Sequence, residues 1–191
     1  MLICLAAALL HDTVEDTDST KEEITELFGA DVALLVDGVT KINKLHFSTS
    51  SEQMAANQRK ILVGLSEDVR VIIIKLADRL HNLRTLYVMP VEKQKKKAKE
   101  TLEILTPVAD RLGINKIKNE LEDLSLRYLK PDVYFDIVEK LNAKKTELDE
   151  SVNDMLREVS SLLNEHNINH EIFGRSKGIY SIYKKLNKGR A

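Results

Sequence analysis

Hydrophobic positions follow a helical period along most of the chain. Val69, Ile73, Leu76, Leu80 and Leu83 recur at spacings of four, three, four and three, predicting a helix from about residue 68 to 86 with this stripe as its buried face. Leu148, Val152, Met155, Val159 and Leu162 repeat the spacing and predict a long amphipathic helix ending before Asn164, its apolar face in a core or an inter-domain seam. Ser19 and Glu22 have capping-box spacing and start a helix through Leu27, with Gly29 just beyond its end. DVALLVDGVTKI and SSEQMAANQRKILVGL read as further helices. Pro90 interrupts, VEKQKKKAKETLEIL resumes, Pro107 is expected to kink or end that helix, and INKIKNELEDLSLRYL follows Gly113. After Asn164 the character changes: NHEIF reads as a strand, GRSKG as a tight basic loop and IYSIYKKL as a short helix.

Composition agrees with a mainly α chain, since 191 residues contain only 7 Gly and 3 Pro. With 43% hydrophobic and 31% charged residues it can build a globular core. A net charge of -1 argues against nucleic-acid binding through bulk charge, and the Lys cluster of VEKQKKKAKE reads as a solvated face. The lone Cys4 sits in an apolar run, suits a reducing cytoplasm and is expected to be a small buried side chain. The opening MLICLAAALL has no Lys or Arg before it and runs straight into HDTVED, unlike a signal peptide. No apolar run approaches the ~20 residues that span a bilayer.

Candidate chemistry concentrates in AALLHDTVEDT, Ala7 to Thr17, where an apolar run delivers His11, Asp12, Glu15 and Asp16 together. On a continuous helix, His11 and Glu15 lie four apart, as do Asp12 and Asp16, so the four groups occupy two neighbouring faces of one turn. Taken alone, an acidic surface helix end accounts for them. The companion is KLADRLHNLRTL, in which Asp78 interrupts the apolar stripe, Asn82 follows one turn later and Arg84 comes next. A carboxylate among Val, Ile and Leu is costly unless paired or coordinated, so Asp78 is expected to be a ligand, or else to pair with Arg79 or Arg70.

ALLHDTVEDT, FGADVALLVDGVTK, KLADRLHNLRTL, ETLEILTPVADRLGINKIKNELEDLSLRYL and FGRSKGIYSIYKKL resemble, in order, the RelA/SpoT-type alarmone synthetase/hydrolases, and these stretches cover most of the chain. The resemblance implies an HD-type helical bundle over residues 1–130, connecting helices over 131–167, and the first elements of an α/β synthetase domain over 168–191. It implies manganese-dependent removal of the 3′-pyrophosphate of guanosine tetra- or pentaphosphate by a cytoplasmic enzyme. By the same resemblance His11, Asp12 and Asp78 hold the metal, Glu15 and Asp16 orient and deprotonate the attacking water, and Asn82 and Arg84 line the nucleotide pocket. Arg175, Lys177, Ser181 and Lys185 match positions facing ATP in the synthetase domain, where an arginine stacks on adenine. Magnesium would serve only that domain, whose acidic site and guanine pocket are not encoded here, nor is the ribosome contact of the full-length family.

The family uses a further metal-binding His upstream of its HD pair, and His46, His81, His166 and His170 do not occupy that position. The hydrolase domain is therefore expected to lack its first helices, leaving apolar surface on LICLAAALL and on the Val69 to Leu83 stripe through which the chain self-associates. His81 is expected to be structural. Two other functions compete: a non-catalytic relay module of the same family, with the helices from Ile114 to Asn164 linking domains, and a generic HD phosphohydrolase acting on other nucleotides.

Overall fold

The computed structural model describes residues 2–43, 68–174 and 177–189; the helix expected over 50–65 lies outside them. The chain forms two compact units, Met1–Leu129 and Lys130–Ala191. In the first, α1 (Leu2–Leu10), α2 (Thr13–Asp16), α3 (Lys21–Phe28) and α4 (Ala30–Asn43) are followed by α5 (Val69–Thr85) and a 3-10 turn at Leu86–Val88. Next come α6 (Val91–Glu100), a π-helical stretch at Thr101–Leu105, α7 (Thr106–Arg111) and α8 (Asn115–Leu129). The second unit contains α9 (Pro131–Ala143), α10 (Lys145–Glu165) and α11 (Ile179–Asn187). There is no strand among the described residues, in keeping with a mainly α fold, and no described helix is long and apolar enough to cross a membrane.

Local chemistry sets most boundaries. The capping box of α3 uses Thr20 and Glu23, one residue later than expected: Thr20 Oγ1 accepts from Glu23 N at 3.2 Å, and Thr20 N donates to Glu23 Oε2 at 3.0 Å. Both Ser19/Glu22 and Thr20/Glu23 fit the pattern, but Ser19 N is already held by Thr17 Oγ1 in the preceding turn, which passes the cap to Thr20. Gly29 closes the helix at φ 89°, a conformation that favours glycine. Pro107 does not end the helical run, which continues through α7 to Arg111. A proline cannot donate to the carbonyl four residues back, and the chain shifts into π register just before it, with Thr106 N donating to Thr101 O.

The core of the first unit joins Leu35, Val36 and Val39 of α4 to Ile72, Leu76 and Leu83 of α5 and to Ile104, Leu105, Val108 and Leu121. The buried face of α5 is not the one its apolar stripe predicts. Leu76, Leu80 and Leu83 are buried, but Val69 and Ile73 are each 43% exposed, while Val71, Ile72, Ile74, Lys75 and Arg79 are buried. The face has rotated by roughly a quarter turn towards Lys75 and Arg79. Two cations can lie there because each has a carboxylate partner: Lys75 pairs with Asp78 and Arg79 with Glu100, both at 2.6 Å.

Leu2, Leu5 and Leu9 of α1 are exposed, and Cys4 is half-buried against the core rather than fully enclosed. In the second unit no residue of α10 is buried, and Leu148, Met155, Val159 and Leu162 are exposed. The expected strand NHEIF is irregular chain instead. It has no strand partner among the described residues and is pinned by His170, whose Nδ1 donates to Ile168 O and whose Nε2 accepts from Ser160 Oγ at 2.9 Å. The Lys side chains of α6 face solvent as expected.

The α4–α5 crossing gives a stability test. A Cβ on Gly38 would meet Val71 Cγ2 at 2.8 Å, and a β-branched side chain has little freedom to move away. Gly38→Ala gains about 1 kcal/mol in helix propensity but overpacks the crossing, so a net loss of about 1–2 kcal/mol is expected in urea denaturation. In a Val71→Ala background the same change is expected to stabilise; a loss of equal size in both backgrounds would contradict the close approach.

Candidate metal centre

The nine apolar residues of α1 lead directly to His11, where the helix stops. The sequence placed His11, Asp12, Glu15 and Asp16 on one continuous helix; instead the chain turns at His11 and Asp12 and restarts as the single turn α2. Thr13 Oγ1 donates to Leu10 O at 2.6 Å, capping an open carbonyl at the end of α1. His11 Nδ1 donates to Ala8 O at 2.9 Å and does the same for the turn before. A carbonyl can only accept, so this bond fixes the proton on Nδ1 and leaves the Nε2 lone pair free to act as a ligand.

That lone pair faces two carboxylates. Nε2 lies 3.1 Å from Asp12 Oδ1 and 3.5 Å from Asp78 Oδ1, buried and misaligned for a hydrogen bond with either. One donor atom from each of His11, Asp12 and Asp78 lies within 4.8 Å of the others. Three acceptors so close are mutually repulsive without a cation between them. An imidazole and two carboxylates, with no thiolate, form a donor set suited to a hard or borderline divalent ion. The residues present therefore fit a divalent metal.

Asp78 comes from α5 and is the buried member, with 8% of its side chain exposed. Its two oxygens are engaged separately: Oδ2 accepts from Lys75 Nζ, and Oδ1 accepts from Asn82 Nδ2 one turn on, both at 2.6 Å. The sequence offered Arg79 or Arg70 as its partner. Arg79 is bound instead to Glu100 and Arg70 to Asp68, and Lys75 takes the role. Burial alone would raise the Asp78 pKa; the charge and hydrogen bond of Lys75, with His11 and Arg79, outweigh it and hold the carboxyl below its usual range. Asp12 moves the other way. Partial burial and repulsion from Asp78 and Asp16 raise its pKa against the pull of His11 and Lys75, although half of its side chain is open to solvent.

Glu15 and Asp16 are exposed on α2, and their backbone N–H groups donate to Asp12 O at 3.1 and 2.9 Å. Two further acids thus stand in the turn that begins at Asp12. Asn82 is at the cluster through Asp78. Arg84 is not: it projects from another side of α5 and pairs with Glu120 of α8 at 2.6 Å. His81 is exposed. In the second unit Lys185 lies beside Lys177 and depresses its pKa, Ser181 is half-buried on α11, and Arg175 lies outside the described residues. Lys75 was missed in the sequence, although a lysine three residues before an aspartate on an apolar helix is a legible pairing signal.

The chain is similar to known proteins over almost its whole length. The chain is 51% identical over 185 residues to a GTP pyrophosphokinase of Myxococcus xanthus, covering 95% of this chain and 24% of that protein. It is 49% identical over 187 residues to a probable guanosine-3′,5′-bis(diphosphate) 3′-pyrophosphohydrolase of Synechocystis, covering 95% and 24%. With the bifunctional (p)ppGpp synthase/hydrolase SpoT of Escherichia coli K12 the identity is 46% over 182 residues, covering 95% and 26%. The chain spans about a quarter of the length of these curated relatives. The HD domain profile matches residues 4–115, which include the α1–α2 turn and all of α5 with its aspartate, and the chain belongs to the HD-domain family.

Proposed function

We propose that the first unit is a manganese-dependent 3′-pyrophosphohydrolase of guanosine tetra- and pentaphosphate, acting in the cytoplasm. The observation that carries it is the convergence of His11, Asp12 and Asp78 donor atoms immediately before the acidic pair Glu15 and Asp16. Substrate class comes from the relatives, among them the pyrophosphohydrolases of Synechocystis and Haemophilus influenzae, the latter 44% identical over 180 residues. On this reading residues 1–130 are the hydrolase domain, 131–167 connecting helices and 168–191 the first elements of a synthetase domain. The division of the chain after Leu129 supports the first boundary, and the apposed Lys177 and Lys185 support an anion-facing role at the last.

His11, Asp12 and Asp78 would hold the divalent ion, which would supply Lewis-acid chemistry to a phosphoryl oxygen and to a nearby water. Glu15, with Asp16 beside it, orients that water and takes its proton. The water oxygen bonds to the phosphorus attached to the 3′ oxygen, the P–O3′ bond breaks, and the 3′ oxygen collects a proton as pyrophosphate leaves. Asn82 orients the nucleotide with the face of its amide not bound to Asp78. Arg84 reaches a phosphate by leaving Glu120, at low cost because that ion pair is solvent-exposed.

For a form extended at its amino end, incubation with guanosine tetraphosphate and Mn2+ is expected to yield GDP and pyrophosphate in equal amounts and to stop on chelation, whereas the 191 residues alone are expected to turn over weakly or not at all. Stepwise loss of single phosphates, or turnover that survives chelation, would refute the reaction. Asp78→Ala is expected to lose metal and turnover together. Glu15→Gln should keep the metal and slow turnover by ~10²–10⁴-fold, the usual scale for a general base. Calorimetry in which both variants lose the metal equally would contradict this division of roles.

Asp12 supplies a pH test. A carboxyl whose folded pKa is raised is disfavoured in its ionised form, so it costs stability at neutral pH, and that cost vanishes as pH falls below the ordinary carboxylate range. Two outcomes are expected. Asp12→Asn raises the melting temperature of the metal-free chain while removing the stabilisation given by Mn2+. Wild-type Mn2+ affinity begins to fall, on acidification, at a higher pH than an ordinary aspartate would impose; titration calorimetry from neutral to acidic pH measures the onset, and an onset at the ordinary value would count against it.

A further inference from the structure

Lys75 is a lysine held almost entirely inside the bundle, with 9% of its side chain exposed, and its Nζ sits 2.6 Å from Asp78 Oδ2. Burying an ammonium is costly, and a purely apolar residue at this position of α5 would satisfy the core. The geometry points to what the lysine adds. Asp78 Oδ1 is the oxygen turned towards His11 Nε2, at 3.5 Å, and Lys75 occupies the other oxygen.

We propose that Lys75 is a positioning residue that restricts Asp78 to one-oxygen coordination and so tunes which divalent ion the site accepts. The inference rests on the metal reading of the site given above. A carboxylate with both oxygens free can chelate an ion through both, an arrangement that large, flexible calcium shells use readily and that smaller ions in stricter six-coordinate shells use less. With Oδ2 held, only Oδ1 faces the ion. The lysine also cancels one of the two negative charges that Asp12 and Asp78 bring, so the site retains its preference through geometry instead of binding any dication by charge alone. Thus Lys75 works against large ions and leaves the remaining coordination positions to water and phosphoryl oxygens.

The test needs no substrate. Mn2+ and Ca2+ affinities are measured by titration calorimetry for the wild-type chain, Lys75→Met and Lys75→Arg, with melting temperatures with and without each ion. Lys75→Met is expected to shift the ratio of affinities towards Ca2+ by about tenfold, the lower end of the scale on which partners of a ligand change metal affinity. Lys75→Arg, which keeps a cation on Oδ2, should restore the ratio. In Lys75→Met, ion-induced stabilisation should grow for Ca2+ more than for Mn2+, a readout that remains available if the variant is less stable. A merely structural lysine would lower the melting temperature of Lys75→Met and leave the ratio unchanged, and that result overturns the inference while the metal site stands. A wild-type chain that binds no Mn2+ overturns the metal reading itself.

Discussion

Two carboxylates and an imidazole lone pair lie within 4.8 Å of one another, with Lys75 and Asn82 donating to Asp78 but no donor facing His11 Nε2, and the packing of the first unit holds that cluster together. Left to themselves the groups would move apart or take up protons. The raised pKa of Asp12 records that tendency, and the lowered pKa of Asp78 records the opposing influence of Lys75. The two aspartates differ because their surroundings differ: Asp78 is hydrogen-bonded to the buried Lys75 at 2.6 Å, whereas Asp12 feels Lys75 only through space and lies near the other acids Asp78 and Asp16. A site in which one carboxylate is held ionised by a lysine and the other has its ionised form disfavoured by burial and like charge favours a cation that neutralises both.

Rigidity comes from α5, which supplies both Asp78 and its counter-ion. The helix is fixed on its far side by Arg79, whose guanidinium reaches Glu100 Oε1, Thr101 Oγ1 and Lys97 O at the end of α6. That is where the chain enters π register, and the two features are linked. Thr101 gives its hydroxyl hydrogen to Lys97 O and accepts from Arg79 through the same oxygen, while its carbonyl accepts from Thr106 across the π turn that precedes Pro107. Pro107 removes one backbone donor, the wider π turn directly precedes it, and α6 and α7 both pack on α8. A straight break at Pro107 would have separated Glu100 from the residues that bury it.

Helices were legible in the sequence because their apolar periods are long, and Asp78 stood out because a carboxylate interrupts an apolar stripe, while His11 and Asp12 were assigned as candidate ligands by resemblance. The phase of α5 was not legible. A pattern reader assigns Lys75 and Arg79 to solvent, and only the pairing of each with a carboxylate allows the face between them to turn inward. The one-residue error in the α3 cap has a different origin: two adjacent pairs satisfy the same rule, and a hydrogen bond from Ser19 N to Thr17 decides between them. NHEIF has strand composition, but a strand is defined by a partner, and no composition reveals that the nearby bonds of His170 go to Ser160 and Ile168 instead. Arg84 was placed in the pocket by resemblance, whereas its observed contact is an ion pair with Glu120, 36 positions away and invisible to any local pattern.

The sequence also raised the question of why an apolar helix should end in four ionisable groups. The packing supplies a physical answer. α1 packs against both α4 and α5 and buries Ala7 completely, so the small residues of AAALL allow its backbone close to the helix that bears Asp78. A helix end carries unpaired carbonyls, and His11 uses one of them, Ala8 O, to set its tautomer and its ring orientation at once. The break at His11 and Asp12 then matters more than a continuous turn would. On an unbroken helix successive side chains diverge by about 100°, which would carry Asp12 away from His11. Turning the chain at that point lets neighbouring residues aim donor atoms at the same space, 3.1 Å apart, while α2 restarts at once to hold Glu15 and Asp16 beside them.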